Sequence, residues 1–329
     1  MYDFEIPHIL DIIKKEGYNR IGLQLPEGLK DHATKIVDKL NEAVKCDIVI
    51  SGNPCYGACD IADVEMKALV VEALFHFGHS RIFDKTELPV YYIETRMDLD
   101  PIPLLSKHLE KLPKRIGLIA TMQHIHTLDK VKRFLEDKGF EIHIGKGKGR
   151  VKYDGQVLGC NFRTAKEIAD KVDCFIYIGS GDFHPLGIAL ATGKKTIAFD
   201  LLLKERRDTD EVRDKILRQR FVQIEKAMDA ESYGIIIGEK RGQMRVNLAL
   251  KIKEKLEGYG KKVYLLYLNE ISPEALLPFR NLDAFVNTAC PRVTIDDAGR
   301  YKAALLTPIE LEVVLGERDS KDYKLDEIL

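Results

Sequence analysis

A unit made of a short apolar run, a polar turn containing glycine and an amphipathic stretch returns three times along the 329-residue chain, and this constrains the fold more than any other feature. The units begin at "RIGLQLPEGL" (20–29), "RIGLIATMQH" (115–124) and "YGIIIGEKRGQ" (233–243). In "HTLDKVKRFLEDKGFE", Thr127 is placed to cap a helix that Gly139 ends, and "QMRVNLALKIKEKLEGYGKK" spaces Val246, Ala249, Leu250 and Leu256 along one helical face. A second apolar run follows each helix ("CDIVISG", "FEIHIG", "KVYLLYL"), and a third closes each unit ("EALFHFGHS", "DCFIYIGSGD", "DAFVNTACPR"). Strands apolar throughout and alternating with helices predict parallel sheets covered on both faces.

The reading is therefore three small α/β domains in a pseudo-threefold arrangement around a shared site, over residues 1–100, 101–207 and 208–329. The joints fall near "RMDLDPIP" and in the charged stretch "KERRDTDEVRDK", read as a surface helix; the tail after Gly316 reads as peripheral and without chemistry. Asp154-Gly155, between alternating runs, predicts a β-hairpin that ends on Cys160.

Charge is interspersed and nearly balanced, with 51 Lys and Arg against 52 Asp and Glu, so no tract calls for a nucleic acid. No apolar run is long enough for a membrane span, and "MYDFEIPHIL" lacks the basic start of a signal peptide. The expected location is the cytoplasm, where six cysteines are core residues, metal ligands or catalytic thiols sooner than disulfides.

Ligands of open parallel sheets bind beyond the carboxyl ends of the strands. Cys46 and Cys174 precede strand runs and read as small buried hydrophobes. Cys55 and Cys59 follow the second run of the first unit, Cys160 the second run of the second, and Cys290 ends the third run of the third. The pair in "CYGAC" begins a C-x3-C-x2-C pattern whose third position holds Ala62. A structural zinc site built on C-x2-C pairs is not available. Three thiolates would suit a [4Fe-4S] cluster with one iron open. A shared metal site and scattered core cysteines both remain compatible with this placement.

"NPCYGACDIAD", "GCNFRTA" and "NTACPRVTIDD" resemble, in order, the three cysteine motifs of the archaeal diphthamide synthases, the 2-(3-amino-3-carboxypropyl)histidine synthases. The resemblance implies one cluster ligand per domain, Cys59, Cys160 and Cys290, with Cys55 an extra thiol. It implies a transferase in which S-adenosylmethionine at the open iron is cleaved between sulfur and the γ-carbon, leaving methylthioadenosine and a 3-amino-3-carboxypropyl radical that joins C2 of a histidine on translation elongation factor 2. It also implies a homodimer and an electron donor of unknown identity.

The carboxylate and amine of the methionine moiety need polar partners at the same rim. Gln24, Glu27, His79, Gln123, His124, Asp182, His184, Gln243 and Arg292 fall there. "GSGDFHPLG" reads equally as a structural turn with Pro185 opening a helix, and Arg292 as the partner of Asp296 or Asp297. "GIALATGKKT" and "GKGKGR" miss the requirements of a phosphate loop. The rival functions are a dehydratase like quinolinate synthase, which also sets three cysteines around an open iron, and a non-catalytic electron-transfer subunit.

Overall fold

The computed structural model describes residues 2–296 and 298–329. Three separate sheets carry the chain. The first contains β1 (Arg20–Gln24), β2 (Asp47–Ile50), β3 (Ala73–Phe77) and β4 (Val90–Ile93) in the order β2-β1-β3-β4. The second contains β5 (Arg115–Ala120), β6 (Glu141–His143), β7 (Cys174–Ile178), β8 (Lys195–Asp200) and β9 (Glu205–Asp208) in the order β6-β5-β7-β8-β9. The third contains β10 (Ser232–Gly238), β11 (Lys262–Leu268), β12 (Ala284–Asn287) and β13 (Ala304–Leu306) in the order β11-β10-β12-β13. All pairings are parallel except β8 with β9. The α/β class with parallel sheets is as expected. Each unit also has a fourth strand (β4, β8, β13) that the three-run reading omitted.

The repeat has a packing signature. Gly22, Gly117 and Gly234 stand at equivalent positions in β1, β5 and β10, paired with Leu74, Phe175 and Phe285. A Cβ at Gly117 or Gly234 would meet the Phe ring at 2.5 or 2.7 Å, so the missing side chain is what lets the aromatic of the adjacent strand lie flat on the sheet. Apolar side chains bury both faces of every sheet.

Several local expectations fail for tertiary reasons. The segment around Asp154-Gly155 turns, with Gly155 at φ +71, but its flanks form no ladder; Gln156 instead bridges Ala120 of β5, and Leu158 bridges Asn161. The charged stretch splits: 205–208 is the antiparallel edge strand, and the helix runs Asp210–Ala227. That helix buries Arg220, whose guanidinium pairs with Glu310 at 2.7 Å and donates to the Thr294 and Leu305 carbonyls. Thr127 does not cap its helix; its hydroxyl donates back to the His124 carbonyl. In helix Val246–Gly258, Ala249, Ile252 and Leu256 are buried, whereas Val246 and Leu250 are exposed. The tail is not peripheral: Leu325, Asp326 and Ile328 are buried.

Candidate metal centre

Each sheet has the strand order second-first-third-fourth, so the crossover changes direction between its first and third strands, and that switch opens a crevice at the carboxyl ends. One cavity of about 480 Å³ collects all three crevices. Its wall takes His79 and Ser80 after β3, Thr121 to Gln123 after β5, His184 after β7, Lys240 and Gln243 after β10, and Cys290 and Arg292 after β12. Cys59 and Cys160 reach the same cavity from the loops after β2 and β6. Hydrogen bonds between units hold it together. Gln123 Nε2 donates to the Gly78 carbonyl and Gln156 Nε2 to Ser80 Oγ, while the Gly242 amide donates to the Cys59 carbonyl at 3.0 Å.

The three thiols are desolvated and sense one another. All three are raised, chiefly by burial, and with the added effect of the neighbouring thiols Cys160 stands at about 12 and Cys290 at about 11. Several groups act the other way, among them Arg245 on Cys160 and Arg292 on Cys290. Gln243 Nε2 donates to Cys59 Sγ at 3.3 Å, and the Arg150 guanidinium favours the thiolates of Cys59 and Cys160. Such a set, with few competing oxygens among its ligands, suits an iron-sulfur cluster: buried sulfurs need a positive charge to leave their protons, and N–H groups aimed at sulfur stabilise the coordinated form.

A short loop of the third unit supports two of the three cysteine segments directly and the third through the tail. Gly242 lies so close to Cys59 that a Cβ there would meet Cys59 Cα and Cβ at 2.5 Å. Arg245 donates to the Thr288 and Ala289 carbonyls just before Cys290, and its guanidinium also pairs with Asp326. The tail then reaches Cys160, where the Ile328 amide donates to the Cys160 carbonyl at 2.8 Å and Glu327 accepts from the Phe162 amide.

Of the polar residues proposed for the rim, His79, Gln123, His184, Gln243 and Arg292 line the cavity. Gln24, Glu27, His124 and Asp182 do not. Gln24 is buried beneath the cysteine loop, donating to the Asp60 carbonyl and accepting from the Ala62 amide, which makes it a support of that loop. Glu27 is exposed and pairs with Lys30, which tethers the Gly52 and Asn53 carbonyls. His124 is buried away from the wall, its Nδ1 without a partner among the described residues, and burial lowers it to about 4. Asp182 lines an adjoining hollow and pairs with Arg207 at 3.3 Å. Arg292 pairs with Asp296 at 2.9 Å while its guanidinium covers the Phe183 ring at 4.2 Å; Asp297 lies outside the described residues. His184 stacks on Tyr177, and burial lowers it to about 3, so it is a neutral group.

Arg150 and the paired Lys240 and Glu270 were not anticipated, although all line the cavity. The only signal for Arg150 was "GKGKGR", read solely for its failure as a phosphate loop. Lys240 also lies 5.4 Å from the Tyr56 ring, and Tyr56 donates to Glu270.

The family model for "diphthamide synthesis protein" matches residues 25–324. The 2-(3-amino-3-carboxypropyl)histidine synthase of Pyrococcus horikoshii is 39% identical over 330 residues, 99% of this chain and 94% of that protein. Subunit 1 of the enzyme of the same name from Kluyveromyces lactis is 31% identical, over 99% of this chain and 79% of that one. The crystal structure of Dph2 from Pyrococcus horikoshii with a 4Fe-4S cluster superposes with a TM-score of 0.92 at 37% identity, covering 100% of this chain and 95% of that one. A chain that matches the family model almost throughout, and sets the motif cysteines of its three units on one cavity, belongs to the diphthamide synthesis family.

Proposed function

We propose that this protein transfers the 3-amino-3-carboxypropyl group of S-adenosylmethionine to C2 of a histidine on translation elongation factor 2, with Cys59, Cys160 and Cys290 as the three ligands of a [4Fe-4S] cluster. The observation that carries this reading is the convergence of those three thiols, one from each unit, on a single desolvated cavity. The chemistry such a cluster supplies when bound and reduced is one electron to the sulfonium, which breaks the bond from sulfur to the γ-carbon and leaves methylthioadenosine and the 3-amino-3-carboxypropyl radical.

The chain's own residues orient and shield. Arg292 and Lys240, cations on the wall besides the sulfur-facing Arg150, can receive the methionine carboxylate, and Glu270 is a wall carboxylate that can receive its amine. His79, Gln123 and His184 are neutral donors or acceptors for the rest of the molecule. Gln243 and Arg150 stabilise the ligating sulfurs. The walls of three sheets exclude bulk water, which protects a carbon radical from quenching.

The protein acts in this reading as a cytoplasmic homodimer served by a separate electron donor, without nucleic acid. Edge strand β11 exposes Tyr264, Leu265 and Tyr267, and Val246 and Leu250 are exposed on helix Val246–Gly258, which packs on β11; an apolar edge of this kind supports self-association. Among the described residues no helix is long and apolar enough to cross a membrane. The test is product analysis: protein reconstituted anaerobically with iron and sulfide, then given dithionite and S-adenosylmethionine, should release methylthioadenosine and label one histidine of elongation factor 2. Release of 5′-deoxyadenosine as the main nucleoside would refute the reading.

A further inference from the structure

Adjoining the cavity, a second group of metal-ligating side chains contains none of the three motif cysteines and shares only His79 with the cavity wall. Cys55 Sγ, one ring nitrogen of His76 and one of His79 all lie within 4.8 Å of one another. Cys55 comes from the loop after β2, His76 from the end of β3 and His79 from the turn that follows it, so the trio spans the crevice of the first sheet.

The hydrogen bonds around His76 settle which of its nitrogens carries the proton. The Ala62 amide donates to Gln24 Oε1, and Gln24 Nε2 donates to the Asp60 carbonyl, so the orientation of the Gln24 amide is set by two backbone groups. His76 Nδ1 faces that same Oε1 at 2.8 Å and must be the donor. Its Nε2 therefore presents a lone pair to His79 Nδ1, 2.9 Å away. A histidine whose far nitrogen is anchored to a fixed acceptor, with the near one free to donate electrons, is the arrangement that orients metal-bound imidazoles.

We propose that Cys55, His76 and His79 form a second metal site, for a zinc-class divalent cation, distinct from the three thiols on the cavity. One thiolate and two neutral imidazoles are a donor set of zinc-binding type, and three protein ligands leave the fourth tetrahedral position open. Ligand atoms of such a site stand about 3.3–3.6 Å apart, reachable from the observed separations by small side-chain rotations. His76 and Cys55 are buried, whereas His79 is on the cavity wall and gives the ion its way in. Binding exchanges the thiol proton of Cys55 for the metal bond, and the proton on His79 Nδ1 passes to its other nitrogen, so one proton leaves per ion bound. Both rings are already neutral: burial lowers His79 to about 4 and His76 well below its ordinary value.

The site shares His79 with the wall used in the transferase reading, but the two are tested apart, because zinc and iron are counted separately. The experiment takes cluster-loaded protein, equilibrates it with Zn²⁺, removes loosely held ion on a desalting column and measures zinc and iron per chain. Wild type and Cys46→Ala should hold one zinc per chain beyond the cluster iron. Cys55→Ser and His79→Gln should each lose about tenfold or more in zinc affinity with iron unchanged. Zinc-edge anomalous diffraction from crystals of the loaded wild type should peak between the three side chains. Zinc absent from wild type, zinc retained in both variants, or iron lost from Cys55→Ser together with zinc would each overturn the proposal, the last by making Cys55 a ligand of the cluster.

Discussion

Gln243 Nε2 donates to Cys59 Sγ at 3.3 Å across a separation of 184 residues, so the third unit of the chain supplies a hydrogen bond to a sulfur held by the first. An N–H aimed at a ligating sulfur withdraws charge from it and favours the reduced cluster. Gln243→Leu should keep its iron but lower the midpoint potential and slow turnover by about 10–100-fold. A redox titration followed by electron paramagnetic resonance checks this; an unchanged potential would show that the contact does not reach the bound state.

The six cysteines divide by place in the fold. Cys59→Ala, Cys160→Ala and Cys290→Ala should each lose most bound iron and all turnover, since each removes one of three sulfurs on a shared cavity. Cys174 is buried at the start of β7 and Cys46 precedes β2, so Cys174→Ala and Cys46→Ala should keep the cluster. Iron and sulfide per chain after identical reconstitution decide the matter.

Ending the chain after Lys324 removes the amide that donates to the Cys160 carbonyl and the carboxylate that pairs with Arg245. The shortened protein should still fold around its three sheets but lose cluster about tenfold or more faster on exposure to air, the scale of effect seen when contacts that support metal ligands are removed. Decay of the cluster absorbance against the full chain measures it. Equal decay rates would remove the tail from the site.

His184 and His124 are held neutral in the fold, by burial, at about 3 and about 4, against an ordinary value of 6.5. Below 6.5 the unfolded chain takes up protons that the folded chain refuses. The stability is therefore fully present above pH 6.5 and is lost as pH falls toward those lowered values, by about 2 kcal/mol per group at pH 5. Thermal unfolding of the apoprotein between pH 5 and 7 should show this decline, and His184→Gln should make it shallower. A stability independent of pH over that range would contradict the neutral assignment.

Much of the design was legible one segment at a time. Strand runs, the parallel α/β class and the place of Cys59, Cys160 and Cys290 beyond strand ends follow from apolar patterning, because a strand buried on both faces must be apolar at every position. Resemblance in three motifs then pointed to the family. What the chain could not disclose locally was which rim side chains turn inward. Gln24 ends β1 and His124 follows β5 much as Gln243 follows β10, yet both are buried away from the wall, while Arg150 comes to it from a segment with no recognisable motif.

The tertiary structure alone decided the contacts that cross units: Gly242 against Cys59, Arg245 behind Cys290, and Ile328 on Cys160. These pairs are separated by tens to nearly two hundred residues, so no local spacing encodes them. They depend on how three sheets with the same strand order face one another. The expected hairpin at Asp154-Gly155 failed for the same reason, since the hydrogen bonds it would have made within itself are made with β5 instead. Local patterning specifies each sheet because its hydrogen bonds and apolar faces close within a hundred residues. The cavity lies where three such sheets meet, and its chemistry was settled only by that meeting.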